Sequence, residues 1–149
     1  MTINVFSLLM NSSVKDFVIN VLASEGFAYD LKKDLDLDDI SANYLQEGST
    51  FYVAFSEGRI IGTCAVKKRS IEKCEIKRLY VHKDYRRRGI GYLLLKKALQ
   101  FSEKQFTTVI LKTDVSLTQA IELYLRAGFC IVKEEDRILY LEKNLHQED

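Results

Sequence analysis

Residues 75–99 read EIKRLYVHKDYRRRGIGYLLLKKAL, and this stretch decides the fold. It starts as a strand-like run, continues through three arginines and two glycines, and ends in a run where Ile90, Leu94 and Ala98 recur at helical spacing. A surface turn needs neither so much positive charge nor two missing side chains. Glycines before a helix let an anion approach the first backbone N–H groups, which have no partner within the helix. The stretch therefore predicts a strand, an anion-binding turn and a helix.

The rest of the chain alternates between strand-like and helix-like segments. Alternating or β-rich runs predict strands at 3–9, 49–55, 59–66, 73–82, 107–113, 129–135 and 137–145, and helical periodicity predicts helices at 12–26, 36–48, 90–101 and 117–128. Within 73–82 the apolar phase changes between Ile76 and Leu79, which predicts a β-bulge of the kind often found beside active sites. The order favours an α/β protein with a mixed sheet and flanking helices.

Composition sets the broad class. The 149 residues are 47% hydrophobic and 29% charged, as expected for one globular domain spanning 1–149. A net charge of +1 gives no global reason to expect nucleic acid or membrane partners, and no apolar run approaches the roughly 18 residues of a membrane span. The N-terminus lacks the basic start of a signal peptide, so a cytoplasmic location is expected.

The three cysteines, Cys64, Cys74 and Cys130, are widely spaced among apolar residues and form no C-x-x-C pair. They are interpreted as reduced, buried thiols, and no metal site is expected. A Cys–His nucleophilic site is the alternative, but nothing in the local sequence favours it.

The arginine–glycine turn matches neither of the two standard phosphate motifs. G-x-x-x-x-G-K-[ST] is absent, and G-x-G-x-x-G would need a glycine where Leu94 stands. YRRRGIG, at 85–91, instead matches the [QR]-x-x-G-x-[GA] motif of the GNAT superfamily of N-acetyltransferases, with Arg86, Gly89 and Gly91 at its defining positions. AIELYLRAGF, at 120–129, resembles the later A-x-x-L-Y-x-x-x-G-F segment of that family. The chain is similar to the GNAT superfamily over essentially its whole length.

The resemblance implies a mixed, mostly antiparallel sheet of about six to seven strands with about four flanking helices, splayed at a cleft for acetyl-CoA. The chain departs from the family pattern at two positions: relatives often have asparagine where Leu117 stands and proline where Lys83 stands. The asparagine helps to hold the pantetheine arm of the coenzyme in relatives, and the neighbouring Ser116 is considered as its substitute here. The cofactor-contacting residues implied by the resemblance are Leu79, Tyr80, Val81, Arg86, Arg87, Arg88, Gly89, Ile90, Gly91, Tyr92, Ser116 and Arg126.

The resemblance also implies transfer of acetyl to a primary amine of a small molecule or peptide by direct attack in a ternary complex. Tyr124 lies where the family places the acid that protonates the departing thiolate; the alternative is a core aromatic. Glu75 matches a glutamate that relatives use as general base; the alternative is a strand carboxylate paired with Lys77 or Arg59. A backbone N–H near Val81 is the expected donor to the oxyanion.

The acceptor side is expected to involve the first two helices and their linker. An acidic rim there would attract a cationic acceptor such as a lysine side chain, polyamine or aminoglycoside, whereas helix capping on a solvated face is the simpler explanation. The rim consists of Asp30, Asp34, Asp36, Asp38, Asp39 and Glu47.

Three further expectations stay open at this point. A homodimer through the later strands is expected by analogy. A catalytically silent acetyl-CoA-binding module is the first alternative to an enzyme, and a nucleic-acid binder is the second. The latter would use the basic cluster formed by the arginine turn with Lys67, Lys68, Arg69, Lys73, Lys77 and Arg78.

Overall fold

A seven-stranded sheet forms the centre of the fold in the computed structural model, which describes residues 1–146. Its strand order is β1-β2-β3-β4-β5-β7-β6; β4 and β5 are parallel and the other neighbours are antiparallel. The predicted mixed, mostly antiparallel sheet is thereby confirmed. The strands are β1 (Thr2–Val5), β2 (Thr50–Ser56), β3 (Arg59–Lys68), β4 (Lys73–Val81), β5 (Thr108–Asp114), β6 (Cys130–Glu135) and β7 (Ile138–Asn144).

The helices flank this sheet. They are α1 (Asn11–Ser24), α2 (Ile40–Tyr44), α3 (Ile90–Glu103) and α4 (Thr118–Arg126), with 3₁₀ turns at Leu8–Met10, Leu35–Asp38 and Lys83–Tyr85. Within residues 1–146, every helix is too short or too polar to cross a bilayer.

The helix α1 starts one residue before the predicted helix at 12–26. The helix begins at Asn11, whose side-chain amide donates to the Leu37 carbonyl at 3.0 Å and whose side-chain oxygen accepts from the Ile40 N–H at 3.0 Å. Asn11 therefore joins the start of α1 to the segment that leads into α2, a long-range role that local capping rules do not predict.

Each face of the sheet carries its own core. On one face α3 and α4 bury Leu94, Leu95 and Tyr124 against β3, β4 and β5. On the other, α1 and α2 bury Phe17 and Tyr44, among others, against β2 and β3. Each fully buried side chain of this size contributes about 1.5–3 kcal/mol of hydrophobic stabilisation. The sheet is therefore packed on both faces.

The cysteines differ from the expectation that all three are buried. Cys64 and Cys74 lie in the core that contains Tyr124, whereas Cys130, the first residue of β6, is exposed.

The sheet separates between β4 and β5. These strands pair only where Lys73–Glu75 meets 108–110, after which β5 continues beside β7 and β4 continues beside β3. The predicted splay of the sheet is confirmed, and it leaves residues 76–81 of β4 along one side of an open cleft.

The bulge predicted in β4 is confirmed and lies on the edge of this cleft. Ala65 pairs with Lys77 and Thr63 with Tyr80, so two β4 residues, Arg78 and Leu79, lie opposite Cys64. Arg78 has φ +56°, a conformation that costs a residue with a side chain about 1–2 kcal/mol. The Thr63 hydroxyl donates to the Arg78 carbonyl at 2.7 Å and helps to hold this conformation.

Candidate active site

The arginine–glycine turn connects the end of β4 to the start of α3. Gly89 is the N-cap residue of α3, with φ +78°, and a Cβ built at this position would meet open space. The first turn of α3 is the uncharged run Ile90-Gly91-Tyr92. Because Gly89 has no side chain to cap them, the first N–H groups of the 14-residue helix and its dipole suit an anionic ligand.

Gly91 marks the point where three elements meet. A Cβ on Gly91 would lie 3.4 Å from Cδ2 of Leu123 in α4 and 3.6 Å from Cγ2 of Val81 at the end of β4. These are ordinary contact distances, so alanine fits here and a larger side chain would displace α4. The turn, the cleft-side end of β4 and the helix that carries Tyr124 are therefore neighbours.

The three arginines of the turn have different surroundings. Arg86 donates from Nε to the Val81 carbonyl at 3.1 Å, and its Nη1 lies 2.6 Å from Oε1 of Glu25, just after α1. Arg87 and Arg88 are exposed, and the Arg88 guanidinium lies 5.2 Å from the centre of the Tyr85 ring. Arg86 thus fixes the turn against β4 and α1, whereas Arg87 and Arg88 are accessible to a ligand.

Glu25 is a residue of this region that the sequence analysis missed. It lies far from the turn in the sequence, in a solvated helix end that resembles many others. In the sequence, Glu25 is notable only because it lies between Ser24 and the helix-ending Gly26. That pattern does not indicate an arginine partner.

Tyr124 lies buried between α4 and the sheet. Its ring packs edge-to-face with Phe129 at 6.0 Å, and it shares a core cluster with Cys64, the β3 residue opposite the bulge. Burial raises the pKa of the Tyr124 phenol, with smaller contributions from Cys64 and Tyr80. The hydroxyl therefore stays protonated through neutral and moderately alkaline pH, the state that a proton donor requires.

Glu75 is also buried, at the last point where β4 pairs with β5. Its Oε1 accepts from Arg69 Nε at 2.7 Å, and Arg69 Nη2 lies 2.6 Å away. The sequence suggested Lys77 or Arg59 as the ion-pair partner of Glu75, but the partner is Arg69. The turn after β3 directs Arg69 back over β4. An ion pair at this depth orients the carboxylate.

Two further residues of the predicted cofactor set lie at opposite ends of α4. Ser116 is exposed before the helix, and its N–H donates to Asp114 Oδ1 at 2.9 Å. Arg126 is the last helical residue, and its guanidinium lies 2.7 Å from Glu122 on the exposed face. A nine-residue helix is about 13 Å long, so these two side chains cannot contact the same group of a ligand.

Most carboxylates of the acidic segment before α2 form contacts within the fold. Asp30 accepts from the N–H groups of Lys32 and Lys33, Asp38 pairs with Lys15 at 2.5 Å, and Asp39 caps α2 through the Ala42 N–H at 3.0 Å. This supports the capping explanation over a free acidic rim.

Asp34 and Asp36 have a different partner, Arg78 at the bulge. Arg78 contacts both oxygens of Asp36, from Nη2 at 2.6 Å and from Nε at 3.0 Å, and its Nη2 also lies 3.0 Å from Asp34. The Tyr44 hydroxyl donates to Asp36 as well, and the Tyr80 hydroxyl lies 3.3 Å from Arg78 Nη1. The linker between α1 and α2 is thus joined by these contacts to the strand that lines the cleft.

Comparison with known proteins agrees with this geometry. The model of the acetyltransferase (GNAT) family matches residues 16–129. N-acetyltransferase family 8 member 3 of Rattus norvegicus is 37% identical over 101 residues, which cover 63% of this chain and 44% of that protein. The chain thus spans less than half the length of the curated relatives it matches.

Two solved structures share the fold over nearly the whole chain. A GNAT-family acetyltransferase from Staphylococcus aureus Mu50 has a TM-score of 0.89 at 24% identity, covering 97% of this chain and 98% of that one. The PaiA N-acetyltransferase from Thermoplasma acidophilum, solved in complex with coenzyme A, has a TM-score of 0.76 at 18% identity, covering 97% and 99%. With the family model matching most of its length, the chain belongs to the acetyltransferase (GNAT) family.

Proposed function

We propose that this protein is an N-acetyltransferase that transfers acetyl from acetyl-CoA to a primary amine of a small molecule or peptide. The observation that carries the proposal is the separation of β4 from β5 directly beside the uncapped, glycine-containing start of α3. A cleft between strands with exposed backbone groups, next to an anion-binding helix start, suits a ligand that joins amide groups to phosphates.

The residues present fit such a ligand. The N–H groups at the start of α3 and the exposed Arg87 and Arg88 would hold the phosphates, and the backbone of Leu79–Val81 would pair with the amides of the pantetheine arm. When bound, acetyl-CoA supplies an acetyl thioester; transfer forms a C–N bond, breaks the C–S bond and releases a free thiol.

Tyr124 is proposed to donate the proton that the departing sulfur takes up, because its raised pKa keeps the hydroxyl protonated. Glu75 is proposed to accept, directly or through water, the proton that the amine loses. A backbone N–H near Val81 would donate to the carbonyl oxygen of the acetyl group.

Direct attack by the amine is favoured over an acyl-cysteine route. Cys64, which shares the core cluster of Tyr124, is completely buried, and burial raises the pKa of its thiol. Since the thiolate is the nucleophilic form, Cys64 is poorly suited to carry the acetyl group. Both substrates would therefore be bound together when transfer occurs.

We propose one acetyltransferase domain over residues 1–149 and a cytoplasmic location. A homodimer through the later strands stays a prediction; the edge strand β6, exposed along its length and bearing Ile131 and Val132, supports it. The alternative of a silent acetyl-CoA-binding module is separated from the enzyme by an acetylation assay.

The test is acetyl-CoA binding by calorimetry on the wild type, Gly89→Glu and Gly58→Glu. Both glycines have positive φ and open space around a built Cβ, so the two substitutions impose similar strain and the same charge. We expect micromolar binding by the wild type and Gly58→Glu and loss of binding by Gly89→Glu. Absence of binding by a folded wild type would sink both the enzyme and the silent-module proposals.

A further inference from the structure

The cleft between β4 and β5 is flanked by two lysines on one face of the sheet. Glu75 pairs with Ile110 in the parallel register, and side chains two residues further along each strand return to the same face. Those residues are Lys77 on β4 and Lys112 on β5, just beyond the point where the strands separate. This is the face that also carries Glu75, opposite to the core around Tyr124.

Three carboxylates near Lys77 already have cationic partners. Glu75 is bound by Arg69, and Asp34 and Asp36 are bound by Arg78. Glu142, which pairs in register with Ile110, lies on β7, one strand further from the cleft. Within residues 1–146, no carboxylate lies within 4.0 Å of the Lys77 or Lys112 ammonium.

Lys77 is half-buried in this position. Burial lowers its pKa, and the neighbouring Glu75 and Asp36 offset the effect only in part. A partly desolvated cation without a counterion is unfavourable unless a ligand supplies the opposite charge. Two lysine charges against that of Glu142 leave the net charge of this face positive, opposite in sign to the acidic rim expected from the sequence.

We propose that the amine acceptor also carries a carboxylate, as an amino acid does, and that Lys77 and Lys112 bind it. This inference rests on the proposed acetyltransferase function and specifies its acceptor. In an α-amino acid a single carbon separates the amine from the carboxylate, so a carboxylate held by these lysines keeps the amine beside the cleft. A polyamine would instead bring further positive charge toward two lysines.

The test compares acceptors that carry this charge with acceptors that lack it. With saturating acetyl-CoA, thiol release is measured for free L-amino acids, each against its own α-carboxamide, and for spermidine. We expect kcat/KM to favour the free acid of at least one pair by about 10- to 100-fold, the range of a charge-assisted contact. Spermidine is expected to be a poor acceptor.

Variants test whether Lys77 and Lys112 cause the preference for the free acid. Lys77→Met should reduce the preference for the acid by about 10-fold or more, mainly through KM, while acetyl-CoA affinity is unchanged. Lys77→Glu should shift the preference toward the carboxamide. Lys104→Met removes an exposed lysine at the end of α3 and serves as the matched control. Lys112→Met provides a second, exposed site if Lys77→Met lowers the melting temperature.

The outcomes separate this inference from the proposed function. If acetyl-CoA does not bind, the proposed function fails as well. If acetyl-CoA binds and amines are acetylated, but acids and carboxamides react equally or only carboxylate-free amines react, the carboxylate site alone is overturned. Preference for the acid that persists in both Lys77→Met and Lys112→Met also overturns the assignment to these lysines.

Discussion

At the scale of single residues, Tyr124 is buried with 7% of its surface exposed, in the same core cluster as Cys64, which lies opposite the bulge. We predict that Tyr124→Phe lowers kcat by about 100-fold, because the departing sulfur loses its proton donor but is already a tolerable leaving group. Acetyl-CoA affinity should be unchanged, since the substitution removes one oxygen atom and preserves the ring packed on Phe129. Thiol-release kinetics and calorimetry measure the two quantities.

Tyr52→Phe is the matched control, because Tyr52 is a second buried phenol in the same core cluster. A similar fall in kcat for both variants would indicate that altered core packing, and not the loss of a proton donor, causes the fall. The raised pKa of Tyr124 adds a further expectation. Since the phenol stays protonated, Tyr124 should cause no loss of activity in the wild-type pH–rate profile up to about pH 10, the ordinary tyrosine value.

At the scale of elements, Arg78 joins the β4 bulge to the linker between α1 and α2. Burial alone would raise the pKa of the Asp36 carboxyl, but hydrogen bonds from Arg78 and Tyr44 hold it below its ordinary value. Removing the guanidinium leaves Asp34 and Asp36 without their counterion. We predict that Arg78→Met lowers the free energy of unfolding by about 3 kcal/mol at pH 7, measured by urea denaturation.

The loss of unfolding free energy caused by Arg78→Met should depend on pH in a definite direction. Because the folded-state pKa of Asp36 is depressed, its contribution is fully present above the unfolded value of about 3.9 and is lost as pH falls through the folded pKa. The difference between wild type and Arg78→Met should therefore shrink below about pH 4. Arg137→Met, at the more exposed and longer contact with Asp114, should change stability little at either pH. An equal loss of stability at all pH values would show that it does not arise from the ion pair of Arg78 with Asp36.

At the scale of the whole molecule, acetyl-CoA should join the two sides of the splayed sheet. At a ligand concentration 100 times Kd, linkage predicts a gain of about 2.7 kcal/mol in the free energy of unfolding. Hydrogen exchange should slow over residues 79–92 more than in the distant edge strand β1. An acetyl thioester without the nucleotide phosphates should stabilise the protein much less, and equal stabilisation by both ligands would argue against the phosphate site at α3.

Sequence reasoning identified the parts of the fold that depend on neighbouring residues. The strand–turn–helix unit, the strands predicted at 49–55 and 59–66 and the bulge before Leu79 all have local patterns, and each is present. Partners joined across the fold were missed. Arg78 meets Asp36 across 42 residues, Glu25 meets Arg86, and Lys112 lies on the same face as Lys77 only through the β4–β5 register. Side-chain periodicity contains no information about such pairs, because it describes one element at a time.

The short pairing of β4 with β5 also has a consequence for how the protein folds. The β2–β3, β3–β4 and β6–β7 pairings are hairpins that close over a few residues, whereas β4 reaches β5 only after the crossover through α3. Contacts between residues distant in the chain form more slowly, because loop closure precedes their stabilisation. We therefore expect two locally assembled halves whose docking is the late event in folding, with the width of the cleft fixed only at that step.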